Sequence, residues 1–441
     1  MNKKPNVLIF YCDDLGYGDL GCYGSDTART PHIDRLAEEG VRFTDWHSDS
    51  PVCSPSRAAL LTGLYPARTG VDQILIGKRG TAGLSSQVPT IAGLLQDNGY
   101  RTAAFGKWHL GSTPDDVPNA HGFEEFYGFH SGCIDYYSHI FYWAQAKGVN
   151  PVHDLWHNGE EVWNDGRYMT EIITDKATSY IRTHGDEPFL MYVAYNAPHY
   201  PMHAPQRYLD RFPDLPWDRR IMAAMMAAVD DGVGEIMDAL REAGMGEDTI
   251  VFFSSDNGPS TEARNWLDGT EDLYYGGSAG RFRGHKGSLF EGGIREPALI
   301  RYPAALPQGQ VNHELGMMKD LVPTLLELTG IDPGPDVVFD GRRLTTMMKG
   351  DAPSPHEEVY WEYNGQLAVR RGNWKLVLGG MLDMNRTQPD RVHLSDLAAD
   401  PGERHNLAAQ YPDLAAELQA QAEAWYARLQ ADPAAGAADR T

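Results

Sequence analysis

The chain has 441 residues, 42% of them hydrophobic and 22% charged, with a formal net charge of −23. That is enough apolar material for one large core with an appendage. The acidity excludes a nucleic-acid binder, whose partner demands a basic surface, and disfavours long polyanions over a small anion held by a local group of cations. Four cysteines are too few for a disulfide scaffold. The longest apolar stretch with a helical pattern, residues 221–229, is far too short to span a bilayer, so no membrane partner is expected. The first six residues show neither the apolar segment nor the cleavage site of a secretory leader. The expected location is the cytoplasm, or the periplasm if a leader was removed.

Residues 7–11 form an unbroken apolar run and read as a buried strand. Residues 32–40 read as a helix ended by glycine. Cys53-Ser54-Pro55-Ser56-Arg57 opens the next helix: Ser54 can cap it, Pro55 suits its first position, and residues 58–61 propagate it. Residues 90–99 are helical and 101–105 form a short strand. A helix at 170–184, a strand at 189–195, a long helix at 221–243 and strands at 249–253 and 297–302 follow. Continuous apolar strands separated by helices predict the α/β class, with a mostly parallel sheet covered on both faces. The pattern changes after about Asp340. Residues 357–363, 366–371 and 374–378 read as short strands, with Asn364-Gly365 and Gly372-Asn373 as hairpin turns. A fourth strand is expected at 393–397 and an amphipathic helix at 412–429, before a frayed tail. The division is therefore a large domain at 1–340 and an α+β subdomain, antiparallel sheet plus helix, at 341–441.

Polar residues follow four of the apolar runs: Asp13-Asp14, Gly106-Lys107-Trp108-His109, Asn196-Ala197-Pro198-His199 and Asp256-Asn257-Gly258. In open α/β sheets ligands bind at that edge. The oxygen donors of Asp13, Asp14, Asp256 and Asn257 suit a hard cation such as Ca²⁺ or Mg²⁺ rather than zinc. Adjacent carboxylates repel one another without one. Cys53 faces the positive end of a helix dipole, and Arg57 adds a fixed charge one turn on. Lys107 and His109 occupy alternate positions and point the same way if the segment stays extended. The lysine could then hold an anion and the histidine move a proton. Prolines fix the loop that carries His199. Lys286, between glycines in Arg283-Gly284-His285-Lys286-Gly287, is the candidate for a second anion-binding cation. Each group alone reads as an ordinary turn, a solvated lysine or a packed histidine; their combination points to a site.

The eleven residues from Cys53 to Gly63 resemble the type I sulfatase signature. The Asp-Asp pair, the Gly-Lys-Trp-His block, the Ala-Pro-His block, the Asp-Asn-Gly turn and the run from Lys286 to Glu291-Gly292-Gly293 resemble family motifs in the same order. Asp396-Leu397, Asp400-Pro401-Gly402-Glu403 and Asn406-Leu407 are similar to the family's C-terminal signature. The resemblance implies an alkaline-phosphatase-like fold, with 1–340 as the catalytic domain, and hydrolysis of an aryl or carbohydrate sulfate monoester. It implies that a formylglycine-generating or other sulfatase-maturing enzyme converts Cys53 to formylglycine. It also implies that Ca²⁺, with Mg²⁺ as the alternative, is held by Asp13, Asp14, Asp256, Asn257 and modified Cys53. Arg57 would orient the formylglycine hydrate, and Lys107 and Lys286 would hold sulfate oxygens. His199, with Lys286, would assist departure of the alcohol. His109 would take the proton whose loss expels sulfate.

The alternative enzyme is a phosphonate monoester hydrolase or phosphodiesterase using the same modified cysteine; the alternative class is a non-catalytic binding protein. A homo-oligomer is compatible with either. Specificity is expected from residues 131–163, with Asp135, Tyr136, Tyr137, His139, Tyr142, Trp143, Trp156 and His157, and from 259–282, with Trp266, Tyr274 and Tyr275. Their rings can stack on an aryl group or a sugar, although any one of them is more readily explained as packing the lid. His203 is a further candidate for the pocket.

Overall fold

The structure, a computed structural model, describes residues 4–142, 150–184, 187–261, 263–264, 272–273, 276–384 and 388–431. Its centre is β1 (Asn6–Asp13), buried at every position as a strand covered on both faces must be. Around it, in chain order, come α1 (Pro31–Glu38), β2 (Val41–Phe43), α2 (Cys53–Thr62), β3 (Arg101–Lys107), β4 (Glu125–Phe129), β5 (Trp156–His157) and β6 (Glu160–Glu161). Then follow α3 (Met169–Thr183), β7 (Phe189–Pro198), α4 (Trp217–Glu242), β8 (Thr249–Ser255), β9 (Ala298–Arg301), β10 (Gln310–Asn312) and α5 (Leu321–Thr329).

These strands make one ten-stranded sheet in the order β10-β2-β9-β8-β1-β7-β3-β4-β5-β6. The run from β8 to β4 is parallel throughout. The strand expected at 297–302 is present as β9 but runs antiparallel to both β8 and β2. Successive residues of β1 point to opposite faces, as the pleat requires. Leu8, Phe10 and Cys12 pack with α3 and α4 on one side. Val7, Ile9 and Tyr11 pack with α2 and α5 on the other. The sequence thus forms a helix–sheet–helix sandwich, and its strand ends fall on one edge.

Helix α2 departs from expectation at its start. Cys53 itself is the first helical residue, after an extended Val52, and no side chain caps the helix. The Ser54 hydroxyl instead accepts the Leu75 N–H at 3.1 Å. Gly63 ends the helix at φ 73°, a conformation that costs glycine least.

Beyond the large sheet, β11 (Glu358–Tyr363), β12 (Gln366–Arg371), β13 (Trp374–Leu378) and β14 (Val392–Asp396) form an antiparallel meander. Asn364 and Gly365 both take positive φ at the first turn. Helix α6 (Pro412–Ala431) lays Ala415, Leu418, Ala422 and Trp425 on this sheet. A buried ionic joint connects the meander to the large sheet. Arg370 of β12 donates through both terminal nitrogens to Asp45, at 2.7 Å each. Lys375 of β13 donates to Glu291 at 2.7 Å, and His47 and Arg295 donate to the same carboxylate at 3.1 and 2.7 Å. The Glu403 carboxylate accepts the Glu291 backbone N–H at 2.6 Å. Among the described residues no helix is long and apolar enough to cross a membrane.

Candidate active site

Neighbouring strands β8, β1, β7 and β3 end side by side, so their polar termini converge. Asp13 is the last residue of β1 and Lys107 the last of β3. His199 follows β7, and Asp256 and Asn257 follow β8. The buried N-terminus of α2 brings Cys53, whose thiol donates to Asp13 Oδ1 at 3.4 Å. Lys107 Nζ donates to Asp13 Oδ2 at 2.6 Å, and Lys286 Nζ to Asp14 Oδ2 at 3.0 Å. Arg57 grips Asp256 Oδ2 through Nε and Nη2 at 3.0 and 2.7 Å, while its Nη1 donates to the Lys107 carbonyl and the Tyr192 hydroxyl. Asn257 Nδ2 donates to Asp14 Oδ1 at 2.7 Å. All the site residues proposed from sequence are buried here.

The electrostatics of the cluster follow from burial. Burial acts to raise the Asp14 carboxyl, but Lys286 and His199 carry it below its ordinary value. Asp256 is raised by burial and then by Asp13, against the pull of Arg57. The helix N-terminus was expected to favour an anionic Cys53. Instead burial pushes the thiol well above its ordinary value, and Lys107 and Lys286 only partly offset it. A protonated thiol is a poor nucleophile.

A hard cation fits this arrangement. Donor atoms of Asp13, Asp14, Cys53 and His199 lie within 4.8 Å of one another, all of them buried. Asn257 Oδ1 is buried without a hydrogen-bond partner. An orphaned amide oxygen beside three carboxylates is a donor set for Ca²⁺ or Mg²⁺.

His109 does not continue the strand as anticipated; its φ is 58°, so the alternation with Lys107 fails. Its Nε2 donates to the Leu75 carbonyl at 3.0 Å. That fixes the tautomer and leaves Nδ1 as a lone pair, buried and without a partner. Burial and then Lys107 hold the ring well below its ordinary pKa, so it is a neutral base. His199 is oriented by a 2.6 Å bond from Nδ1 to the Tyr200 carbonyl, and its Nε2 lies 3.6 Å from Asp14.

Of the aromatic candidates, Trp156 lines a cavity of about 410 Å³ that also takes in His109, Ser131 and Asp154. Its ring lies against His130 and beneath the Arg79 guanidinium. Tyr136 is fully buried, and its hydroxyl bonds to the carbonyls of Asn196 and His199 at 2.8 and 2.9 Å, so it positions the histidine loop. Tyr137 and His203 pack together, with His203 3.5 Å from Asp135. Tyr142 is buried, and His157 lies against Tyr127. Trp143, Trp266, Tyr274 and Tyr275 fall outside the described residues. Sequence reasoning missed Tyr192 and the Leu75 carbonyl. The first reads as one more core strand residue, and a backbone group carries no sequence signal.

Comparison with known proteins agrees over nearly the whole chain. The sulfatase family model matches residues 5–331, and the model for the C-terminal region of N-sulphoglucosamine sulphohydrolase matches residues 280–428. Arylsulfatase A of Homo sapiens is 34% identical over 451 residues, covering 92% of this chain and 83% of that protein. N-acetylgalactosamine-6-sulfatase of Canis lupus familiaris is also 34% identical, covering 85% and 71%. Among solved structures, Ps i-CgsB in complex with k-i-k-neocarrahexaose superposes with a TM-score of 0.84 at 32% identity, covering 96% of this chain and 93% of that one. The phosphonate monoester hydrolase of Agrobacterium radiobacter, at 21% identity, TM-score 0.68 and 96% coverage of both chains, shares the fold.

Proposed function

This chain belongs to the sulfatase family of sulfuric ester hydrolases, and we propose that it cleaves a carbohydrate or aryl sulfate monoester at the Cys53 cluster, with Cys53 matured to formylglycine. The observation that carries this reading is the convergence of Cys53 with Asp13, Asp14 and His199 within 4.8 Å. The sugar-bound structural neighbour and the N-acetylgalactosamine-6-sulfatase relatives support a carbohydrate ester. The run from Cys53 to Gly63 supports maturation, because it resembles the signature whose cysteine is converted in this family. Formylglycine at this position supplies a geminal diol, with one hydroxyl to attack sulfur and a second from which sulfate can be expelled. A sulfatase-maturing enzyme is the partner this requires.

Asp13, Asp14, Asp256 and Asn257, with residue 53, would hold Ca²⁺ or Mg²⁺. The cation supplies positive charge against the sulfate oxygens, which otherwise repel a nucleophile. Lys107 and Lys286 now face Asp13 and Asp14; on substrate binding they turn part of that charge to the sulfate. Arg57, held by Asp256, keeps residue 53 oriented. His199 already donates from Nδ1, so a second proton at Nε2 makes it an imidazolium, a form that Asp14 favours. From there it protonates the departing alcohol oxygen. His109 accepts a proton at its free Nδ1, the step that releases sulfate.

The test combines intact mass analysis of the Cys53 peptide with turnover of a sulfate and a phosphonate ester of the same phenol. Formylglycine at position 53 and preferential sulfate turnover are expected. An unmodified thiol in active protein, or preference for the phosphonate, overturns the reading.

A further inference from the structure

A second group of metal-ligand side chains lies at His139, His153 and Asp165. Residues Ile140–Phe141 and Val152–His153 pair as antiparallel strands, with Ile140 opposite His153. The pairing brings His139 beside His153, ring centroids 6.4 Å apart and planes at 80°. One donor atom from each of His139, His153 and Asp165 lies within 4.8 Å of the others. His139 is fully buried and held at φ 56°. Its Nε2 donates to the Arg167 carbonyl at 3.2 Å, leaving Nδ1 buried without a partner. His153 uses the opposite tautomer: Nδ1 donates to Glu161 at 3.1 Å, and Nε2 is buried without a partner. Trp163 stacks on the His153 ring at 4.8 Å and 7°.

Each imidazole therefore spends its N–H on a carbonyl or a carboxylate and keeps a lone pair in the interior. That is how metal-binding histidines are oriented, by an outer hydrogen bond that fixes the tautomer. A buried acceptor with no donor otherwise costs free energy. We propose that His139, His153 and Asp165 form a second metal site, for a borderline divalent transition cation, Zn²⁺ foremost, separate from the hard-cation cluster. Two imidazoles and one carboxylate are the donors such ions prefer. Asp165 is exposed and can swing to close the coordination. Bound metal ties the hairpin to the segment at 163–167. The chain then runs into Met169, whose N–H bonds to the Tyr136 carbonyl, and Tyr136 holds the His199 loop. Occupancy thus stiffens the wall beside the catalytic edge.

The experiment titrates the Ca²⁺-loaded protein with Zn²⁺ by calorimetry and with Co²⁺ by visible absorption. One Zn²⁺ per chain and a Co²⁺ spectrum without a thiolate charge-transfer band are expected. Asp165→Ala and His153→Asn should abolish uptake, and Glu161→Gln should weaken it by about 10–100-fold. Asp165 is exposed, so its variant decides the matter even if the histidine variant misfolds. Absence of Zn²⁺ uptake, equal uptake by wild type and Asp165→Ala, or a thiolate band would each overturn the proposal.

Discussion

Two buried ionic clusters share the segment 286–295, and they differ in which of their groups are left unmatched. The cluster at the strand ends sets Asp13, Asp14 and Asp256 against Lys107, Lys286 and Arg57. The joint sets Asp45, Glu291 and Glu403 against Arg370, Arg295, Lys375 and His47. Both bring acids and histidines close enough to suggest a metal. In the joint, both oxygens of Asp45 and of Glu291 meet a charged N–H, as a stable buried pair requires. At the strand ends, Asn257 Oδ1 and His109 Nδ1 meet nothing. The joint also leaves His47 Nδ1 and Glu403 Oε1 without a hydrogen bond, so burial, charge and unmatched atoms do not by themselves mark a reactive centre; what the strand ends add is Cys53, at a helix N-terminus and against Asp13.

The contrast breaks most sharply at Cys53. Cys53→Ala should reduce turnover of a sulfate monoester to the uncatalysed background while the unfolding midpoint moves little; wild-type turnover would remove Cys53 from the chemistry. Glu291→Ala should do the reverse. It strands Lys375 and Arg295 and should cost about 3–5 kcal/mol in urea unfolding, so a wild-type transition would refute the joint. Cation removal tests the open cluster from the other side. Chelation should abolish activity and lower the unfolding temperature. Ca²⁺ restored at about 100 times its Kd should return about 2.7 kcal/mol, and full activity in verified metal-free protein would eliminate the cation's role.

The smallest effect concerns Glu403, which burial raises from 4.5 to about 7 against the pull of Lys375. Between those values the folded chain keeps a proton that the unfolded chain has lost. Stability from this group therefore falls as pH rises through that window. Glu403→Gln should flatten that slope in denaturation measured across it; an unchanged slope would show that Glu403 is not the titrating group.

Much of the strand-end cluster was legible because its parts are local. Asp13-Asp14, Lys107, His199 and Asp256-Asn257 each follow an apolar run, and parallel strands place their ends on one edge. The four antiparallel strands at the C-terminus were legible for the same reason, since Asn364-Gly365 and Gly372-Asn373 are turn signals. What escaped was non-local. Ser54 looked like a cap, but the chain enters α2 two residues earlier than that requires, and its hydroxyl serves Leu75. His109 looked extended until the backbone turned at it. The joint was invisible, because Asp45, Glu291, Arg370 and Lys375 are isolated charges hundreds of residues apart in part, and nothing local says that they meet.

That joint has a consequence for synthesis. Glu291 leaves the ribosome roughly eighty residues before Lys375, its partner at 2.7 Å, and Asp45 waits far longer for Arg370. Until the meander has emerged, the nascent large sheet holds Asp45 and Glu291 with Arg295 as their shared cation, and the further counter-charges of Arg370 and Lys375 do not yet exist. Vectorial translation thus makes the last quarter of the polypeptide a checkpoint on the first three.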